Sequence, residues 1–520
     1  MNPSRFATLS VAAILKESAD RFGESTALSI AGTSIRYRDL WEQTKAYAGA
    51  LRDLEIGPGD TVAVLIPNVP DFARVYYAIL SLGGVVVPIH ALLKSEEIHF
   101  VLSDSGAKLL VCAEPLIIEG AAGAGLAGIP VISVMTTQPN GAIPALEELC
   151  AQAEPIESYT RVAPDDTATI LYTSGTTGKP KGAMGSHFAI IEQTNVLLQN
   201  TFDIKSDDII FGGLPLFHTF GQICALNTSF RAGAEVVLVP RFEGASALET
   251  LVDSRCTIMM GVPTMYVALL EAARSTAERP PLRYAISGGS AIPLAVIDRF
   301  RSEFGIEIYE GYGLTETSPV ATFNHVGRQP RGGSIGTPIW GVDVEIADAD
   351  KDDSVELLPH GELGELVVRG HNLMKGYLNQ PEADAHAIVD GWFRTGDLGT
   401  KDADGYLWIV DRKKDMILRN GYNVYPREVE EILSAHPRVT AAAVFGVTDE
   451  TRGQEVMGCV VLTPGEPLAP QDLVDYARNR LAAYKYPRHI FIVDSLPLGP
   501  SGKVLKRELV ARFEEPGGVQ

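Results

Sequence analysis

A chain of 520 residues with 46% hydrophobic side chains has length for roughly three domains, at about 150 residues each, and ample material for a large core. The net charge of −21 removes any bulk affinity for nucleic acid and sets most of the surface against an anionic membrane, so a polyanionic ligand must be met by local groups. The five cysteines, Cys112, Cys150, Cys224, Cys256 and Cys459, lack the close pairing of a zinc site or a disulfide framework and fit a reducing cytoplasm.

At the amino terminus Val11, Ile14, Leu15 and Phe22 fall at helical spacing with Lys16, Glu17 and Asp20 between them, which predicts an amphipathic helix rather than a signal-peptide core. No uncharged apolar run reaches the ~18 residues of a membrane span; the nearest, YYAILSLGGVVVPI, is broken by Gly83 and Gly84. From Gly59, strand-like TVAVLIP, helix-like DFARVYYAILSLG, strand-like VVVPI, helix-like KSEEIHFVLSDSG and strand-like KLLVCAEP follow one another in the βαβ rhythm of a parallel sheet. The rhythm returns in IIFGGLPLF, AEVVLVPRF, CTIMMGVP and LRYAISGG, and ligands tend to sit outside the ends of such strands. After about residue 330, short strands punctuated by glycine (GELGELVVRG, GYLWIVDR) predict a more antiparallel section, and from Val424 on the pattern is a compact α+β unit. The expected fold class is α/β, with a large amino-terminal part of parallel sheets plus a β-rich section over residues 1–411 and a small α+β domain over residues 412–520.

The stretch YTSGTTGKPKG, residues 172–182, sets flexible backbone, hydroxyls and positive charge together. Gly175, Gly178 and Gly182 let N–H groups turn toward an anion, Thr173, Ser174, Thr176 and Thr177 add donors, and Lys181 adds charge, so after the strand-like TATILY this reads as a phosphate cradle. It is not a Walker loop, because Lys179 is followed by Pro180, which opposes immediate entry into a helix.

That string resembles the signature of the adenylate-forming superfamily, and four later strings resemble the family's other motifs in order and spacing: YEGYGLTETSP, WFRTGDLG, DRKKDMILRNGYNVYPREVE and PLGPSGKVLKREL. The resemblance covers almost the whole chain and is nearest in appearance to bacterial fatty acid–CoA ligases. It implies two half-reactions, attack of a carboxylate on ATP to give acyl-AMP and displacement of AMP by a thiol, with the small domain turning between them. ATP, Mg²⁺ and coenzyme A are the expected cofactor and co-substrates. A carboxylate oxygen leaves poorly, so coupling to AMP comes first, and the charge that builds at the α-phosphorus needs positioned cations and donors.

By this resemblance Thr315 bonds the α-phosphate, and Glu316, with Thr173, holds Mg²⁺, a hard cation on oxygen ligands. Tyr312 stacks on adenine, Asp397 accepts both ribose hydroxyls, and Arg412 supports ribose or phosphate. Lys414 is the pivot, Gly421 lines the passage for the thiol, and Lys503 reaches the α-phosphate and the acyl carboxylate from the mobile domain. Gly288, Gly289 and Gly311 face the acyl pocket and leave it room, Glu310 belongs to the nucleotide-binding string, and His218 sits at the seam between acyl group and nucleotide. Taken singly, several of these would be a helix cap, an Asx turn, a turn glycine or an exposed lysine; five motifs in order override those readings.

The stretch LPLFHTFGQICALN holds no acid to bind an amino group, so an amino acid substrate is not expected. A medium- or long-chain fatty acid is expected, with Phe220, Ile223 and Met265 as apolar walls; an aryl acid of the coumarate or benzoate kind, or loading of a carrier protein, are the alternatives. The expected partners are these small molecules, with no nucleic acid and no transmembrane segment, while peripheral membrane contact and a homodimer stay open.

Overall fold

The computed structural model describes residues 9–137, 143–173, 180–449, 451–463, 465, 468–499 and 504–514. Among them the strands build four sheets. In the first, the strands run in the order Val131–Val134, Leu109–Ala113, Thr61–Leu65, Val85–Pro88, Thr167–Thr173 and Lys181–Ser186. All neighbours are parallel except the last pair, an antiparallel hairpin in which Thr173 faces Lys181. The glycine-rich stretch is thus the connection of a hairpin and leads into a strand, as Pro180 anticipates.

The second sheet has a parallel centre, Ile308–Gly313, Tyr284–Ser287, Ile258–Gly261, Ile209–Gly212, Glu235–Leu238 and Thr26–Ile30, with antiparallel strands at both edges. The strands and helices of the βαβ rhythm fall in these two sheets and in the helices between their strands. The helix Pro70–Ser81 is the clearest case. Pro70 starts it at a position whose N–H would be unpaired anyway, and Phe72, Val75, Tyr76, Tyr77, Ile79 and Leu80 are all fully buried. A helix buried over nearly all its length, with Asp71 paired to Arg74, needs cover on almost every side. Burial of each large side chain contributes about 1.5–3 kcal/mol. Tyr77 stacks on Phe230 at 5.9 Å and donates its hydroxyl to Asn227 Oδ1 at 2.8 Å, which ties this helix to the segment behind residue 218.

The third sheet, Val342–Ala347, Gly364–Gly370, Ile388–Val389, Trp392–Lys401 and Leu407–Arg412, is antiparallel throughout, as the glycine-punctuated texture predicts. The fourth, from Ile417–Arg419 to His489–Ile492, carries the helices Pro426–Ser434, Pro470–Arg478 and Lys506–Glu514 and has its own buried clusters, among them Val429, Leu433, Val456 and Leu473. The amino-terminal helix is Ala12–Phe22, with Ile14 and Leu15 in the core. Among the described residues no helix is long and apolar enough to cross a membrane, and all five cysteines are free.

Candidate functional site

Two groups of side chains from distant segments meet beyond the carboxyl ends of the parallel strands. The first forms around Glu316, which lies in the short turn Thr315–Thr317 just past the strand Ile308–Gly313 and is 8% exposed. Thr173, the last residue of its strand, points its hydroxyl at Glu316 Oε1 across 3.4 Å, and Tyr377 donates to the same oxygen at 2.8 Å. The Glu316 carbonyl also accepts the N–H of Met374 at 2.8 Å. Tyr377 is delivered by a run of main-chain bonds that adds residues 374–378 to the edge of the strand Lys181–Ser186: Met184 N–H to Gly376 O, Lys375 N–H to Met184 O and Leu378 N–H to Gly182 O. Lys181 Nζ lies 5.0 Å from the centre of the Tyr377 ring, a cation–π contact. Burial, with the Glu316 carboxylate beside it, pushes the Tyr377 phenol up and keeps it a donor. Sequence reasoning missed Tyr377, since nothing in MKGYLNQ marks an edge pairing with a strand almost two hundred residues earlier.

The second group forms around Asp397. Tyr312 donates its hydroxyl to Asp397 Oδ2 at 2.6 Å, and Arg412 Nε lies 3.6 Å from Oδ1, because Asp397 and Arg412 are register partners on adjacent strands. The Lys413 N–H donates to Gly396 O at 2.8 Å. Lys414, one residue on, has an exposed side chain, and partial desolvation together with the Arg412 and Arg507 charges lowers its pKa, while Asp415 opposes this. Gly421 (φ +78°) and Asn420 (φ +53°) are the two-residue turn between Ile417–Arg419 and Tyr422–Val424, the left-handed pair that tight hairpins favour. A side chain at Gly421 would meet open space in this arrangement.

A third group borders a small cavity of about 20 Å³, room for one water, lined by Leu214, Pro215, His218, Phe220, Gly221, Val262 and Gly289. His218 Nδ1 accepts the Phe220 N–H at 3.2 Å. Phe220 opens a widened helix, Phe220–Asn227, in which Thr228 N–H bonds the carbonyl of Ile223 five residues back, a geometry frequent at functional sites. Ile223 and Met265, expected as walls beside Phe220, are 1% and 5% exposed but are not among the residues that line this cavity.

Of the three glycines expected at the pocket, Gly289 lines this cavity, while Gly288 and Gly311 do not leave the room expected of them. A Cβ on Gly288 would lie 3.1 Å from the Phe220 ring, and one on Gly311 only 2.5 Å from the Phe323 ring, so aromatic side chains fill both gaps. Glu310 turns away from the nucleotide residues. Its carboxyl is 5% exposed, takes main-chain N–H groups of Ile292 and Gly333, and faces Arg427 and Glu431 of the helix Pro426–Ser434. Burial pushes it up to about 7, against the pull of Arg427. Ser174, Gly175, Thr176, Thr177, Gly178 and Lys503 lie outside the described residues.

A family model described as AMP-binding enzyme matches residues 15–378, and one described as AMP-binding enzyme C-terminal domain matches residues 428–503. The chain belongs to the AMP-binding enzyme family. Among the similar members, a long-chain-fatty-acid–CoA ligase of Bacillus subtilis (strain 168) is 33% identical, with 96% of this chain and 94% of the relative covered. A feruloyl-CoA synthase of Amycolatopsis sp is 37% identical over 94% of this chain and 96% of its own. The crystal structure of the anthranilate CoA ligase AuaEII in complex with anthranoyl-AMP is 26% identical, covers 98% of each chain and has a TM-score of 0.91. This AMP-binding enzyme is an AMP-forming acid–CoA ligase, for which use of ATP and CoA follows.

Proposed function

We propose that this ligase activates a fatty acid of medium or long chain. The carboxylate oxygen attacks the α-phosphorus of ATP and the bond to the β-phosphate oxygen breaks, releasing pyrophosphate; the CoA thiolate then attacks the acyl carbon and AMP leaves. The observation that carries the acyl assignment is the cavity wall of Leu214, Pro215, Phe220 and Val262, where His218 is the one titratable side chain among the described residues. An apolar chain gains there from burial and meets no fixed charge. The space holds one water as it stands, so entry of a chain displaces the Phe220 ring from Gly288.

Asp397 accepts from the ribose hydroxyls, Tyr312 packs against adenine, and Lys181, with residues 174–178, faces the phosphates. Among the described residues no three His, Cys, Asp or Glu side chains gather to hold a metal. Thr173 and Glu316 are hard oxygen donors 3.4 Å apart, which suits Mg²⁺ taking its remaining ligands from phosphate and water. When bound it neutralises phosphate charge. Thr315 bonds the α-phosphate, and Lys503 reaches it from a domain of residues 412–520 that turns about Lys414 relative to residues 1–411, with Gly421 beside the thiol passage.

A second reading, an aryl acid, is favoured by the closeness of the Phe220 ring to Gly288, where a Cβ would lie 3.1 Å from it, a space that a substrate ring can take over. Comparing octanoate, dodecanoate, palmitate, benzoate and 4-coumarate at matched concentration separates the two. Each methylene contributes about 0.8 kcal/mol, so kcat/KM climbs several-fold per carbon until the cavity is full. A preference of about tenfold for coumarate or benzoate over every fatty acid, roughly 1.4 kcal/mol, establishes the second reading instead.

A further inference from the structure

We propose that Glu365, through its ion pair with Arg394, is a positioning residue for ribose recognition. This rests on the reading that Asp397 holds the ribose hydroxyls. The strands Gly364–Gly370 and Trp392–Lys401 pair Glu365 with Leu398 and Val367 with Arg394, so Thr395, Gly396 and Asp397 all stand opposite the single residue Leu366. Such an excess expels main chain from the ladder and re-aims a side chain, at the cost of its regular hydrogen bonds. Here side chains supply the missing partners. Glu365 Oε1 accepts the Gly396 N–H at 2.9 Å, Thr395 Oγ1 accepts the Asp397 N–H at 3.1 Å, and the Thr395 hydroxyl donates to Leu366 O at 2.8 Å. Gly396 takes φ +72°, which a side chain would resist.

Glu365 uses its other oxygen, Oε2, for Arg394 Nε at 3.1 Å and Nη2 at 2.5 Å, and Arg394 Nη1 donates to Lys351 O. The two side chains are 4% and 7% exposed. Taking both charges out of water costs several kcal/mol per ion, and apolar replacements of similar volume are often as stable, so stability alone is a poor reason for the pair. The bond to Gly396 gives it another task. It fixes the one turn from which Asp397 can meet Tyr312 on one side and Arg412 on the other. Glu365 touches no substrate and acts through Asp397.

The test is discrimination between ATP and its 2′-deoxy and 3′-deoxy analogues, read as kcat/KM ratios for pyrophosphate release. A hydrogen bond to a charged acceptor is worth about tenfold or more, so the wild-type enzyme is expected to prefer ATP by at least that over one analogue. The double variant Glu365→Leu/Arg394→Met removes both charges together and leaves neither stranded. Its ratio is expected to fall to that of Asp397→Ala, with its order of preference among acids unchanged. Thr395→Val, a milder change in the same bulge, is expected to lower the ratio by about threefold, and it carries the test if the double variant does not fold. A folded double variant, or a Thr395→Val variant, that keeps the wild-type ratio overturns the positioning role, since general loosening lowers activity with all three nucleotides alike. A wild-type enzyme with no preference for ATP overturns the ribose reading of Asp397 itself.

Discussion

The groups proposed to face the nucleotide and the cavity proposed for the acyl chain are built in opposite ways. Around Glu316 and Asp397, side chains from segments far apart in sequence are tied by hydrogen bonds of 2.6–3.4 Å, in geometries that fix direction. Around Phe220 the wall side chains are mostly apolar, and although the Phe220 N–H donates to His218 Nδ1, its ring is held beside Gly288 by packing. Directional ties specify one ligand shape, whereas dispersion contacts accept any apolar filling of the right volume. The nucleotide end should therefore break when single bonds are cut, and the acyl end should change its preference without breaking.

The sharpest way to break that contrast is Lys503→Ala. Loss of the charge proposed to meet the reacting phosphate should slow acyl-AMP formation by about a thousandfold, while thioester formation from supplied acyl-AMP stays within about threefold. Equal loss in both half-reactions, followed by separate pyrophosphate and thioester assays, would show that Lys503 is not specific to the first step. Tyr377→Phe comes next. Removing a hydrogen bond from the carboxylate proposed as metal ligand should weaken Mn²⁺ binding in the presence of ATP by about 10–100-fold, measured by the spectrum of free Mn²⁺. Unchanged metal binding would leave Tyr377 a packing residue.

Glu310 sharpens the comparison from another side, because it shares a strand with Tyr312 yet serves the contact with the helix Pro426–Ser434. A carboxyl held near 7 when folded, against 4.5 ordinarily, binds more protons in the folded state, so its contribution to stability is full below pH 4.5 and declines as pH rises to 7. Glu310→Gln, neutral at every pH, should stabilise the protein by about 1–3 kcal/mol at pH 8 and by much less at pH 5, read from thermal melts. The same gain at both pH values would remove the burial argument. The smallest effect is expected from Phe220→Ala. It should shift the optimum toward longer or bulkier acids by about tenfold in kcat/KM and leave the KM for ATP as it was. A large rise in that KM would show that the two ends are not built independently.

Much of this was legible in the sequence, for identifiable reasons. Strands such as Thr61–Leu65 and Ile258–Gly261 are short apolar runs closed by glycine or proline, and buried parallel strands require that composition. Pro180 announced that the glycine loop would not enter a helix, and Lys181–Ser186 is a strand. Asp397 and Arg412 were legible as chemistry, and the register pairing that joins them follows from a short hairpin. The bulge that aims Asp397 was not, because it depends on how many residues face Leu366 across a sheet. Tyr377 was hidden for the same reason, and Phe323 against Gly311 also depends on a partner strand. Local composition records what a segment prefers; the partner it meets is decided by topology.

The bond between Asp411 and the start of the helix Pro426–Ser434 has a kinematic consequence. Asp411 Oδ2 accepts the Arg427 N–H at 2.9 Å, and Arg427 Nη1 donates to Ile409 O at 2.6 Å. Asp411 precedes Lys414 and Arg427 follows it, so these two struts close the chain into a ring that contains the proposed pivot. In an open chain one torsion can swing everything beyond it, but in a closed ring a torsion changes only if others compensate or the ring opens. A large turn about the proposed pivot must therefore either release Arg427 from Asp411 or be matched by compensating torsions elsewhere between residues 411 and 427.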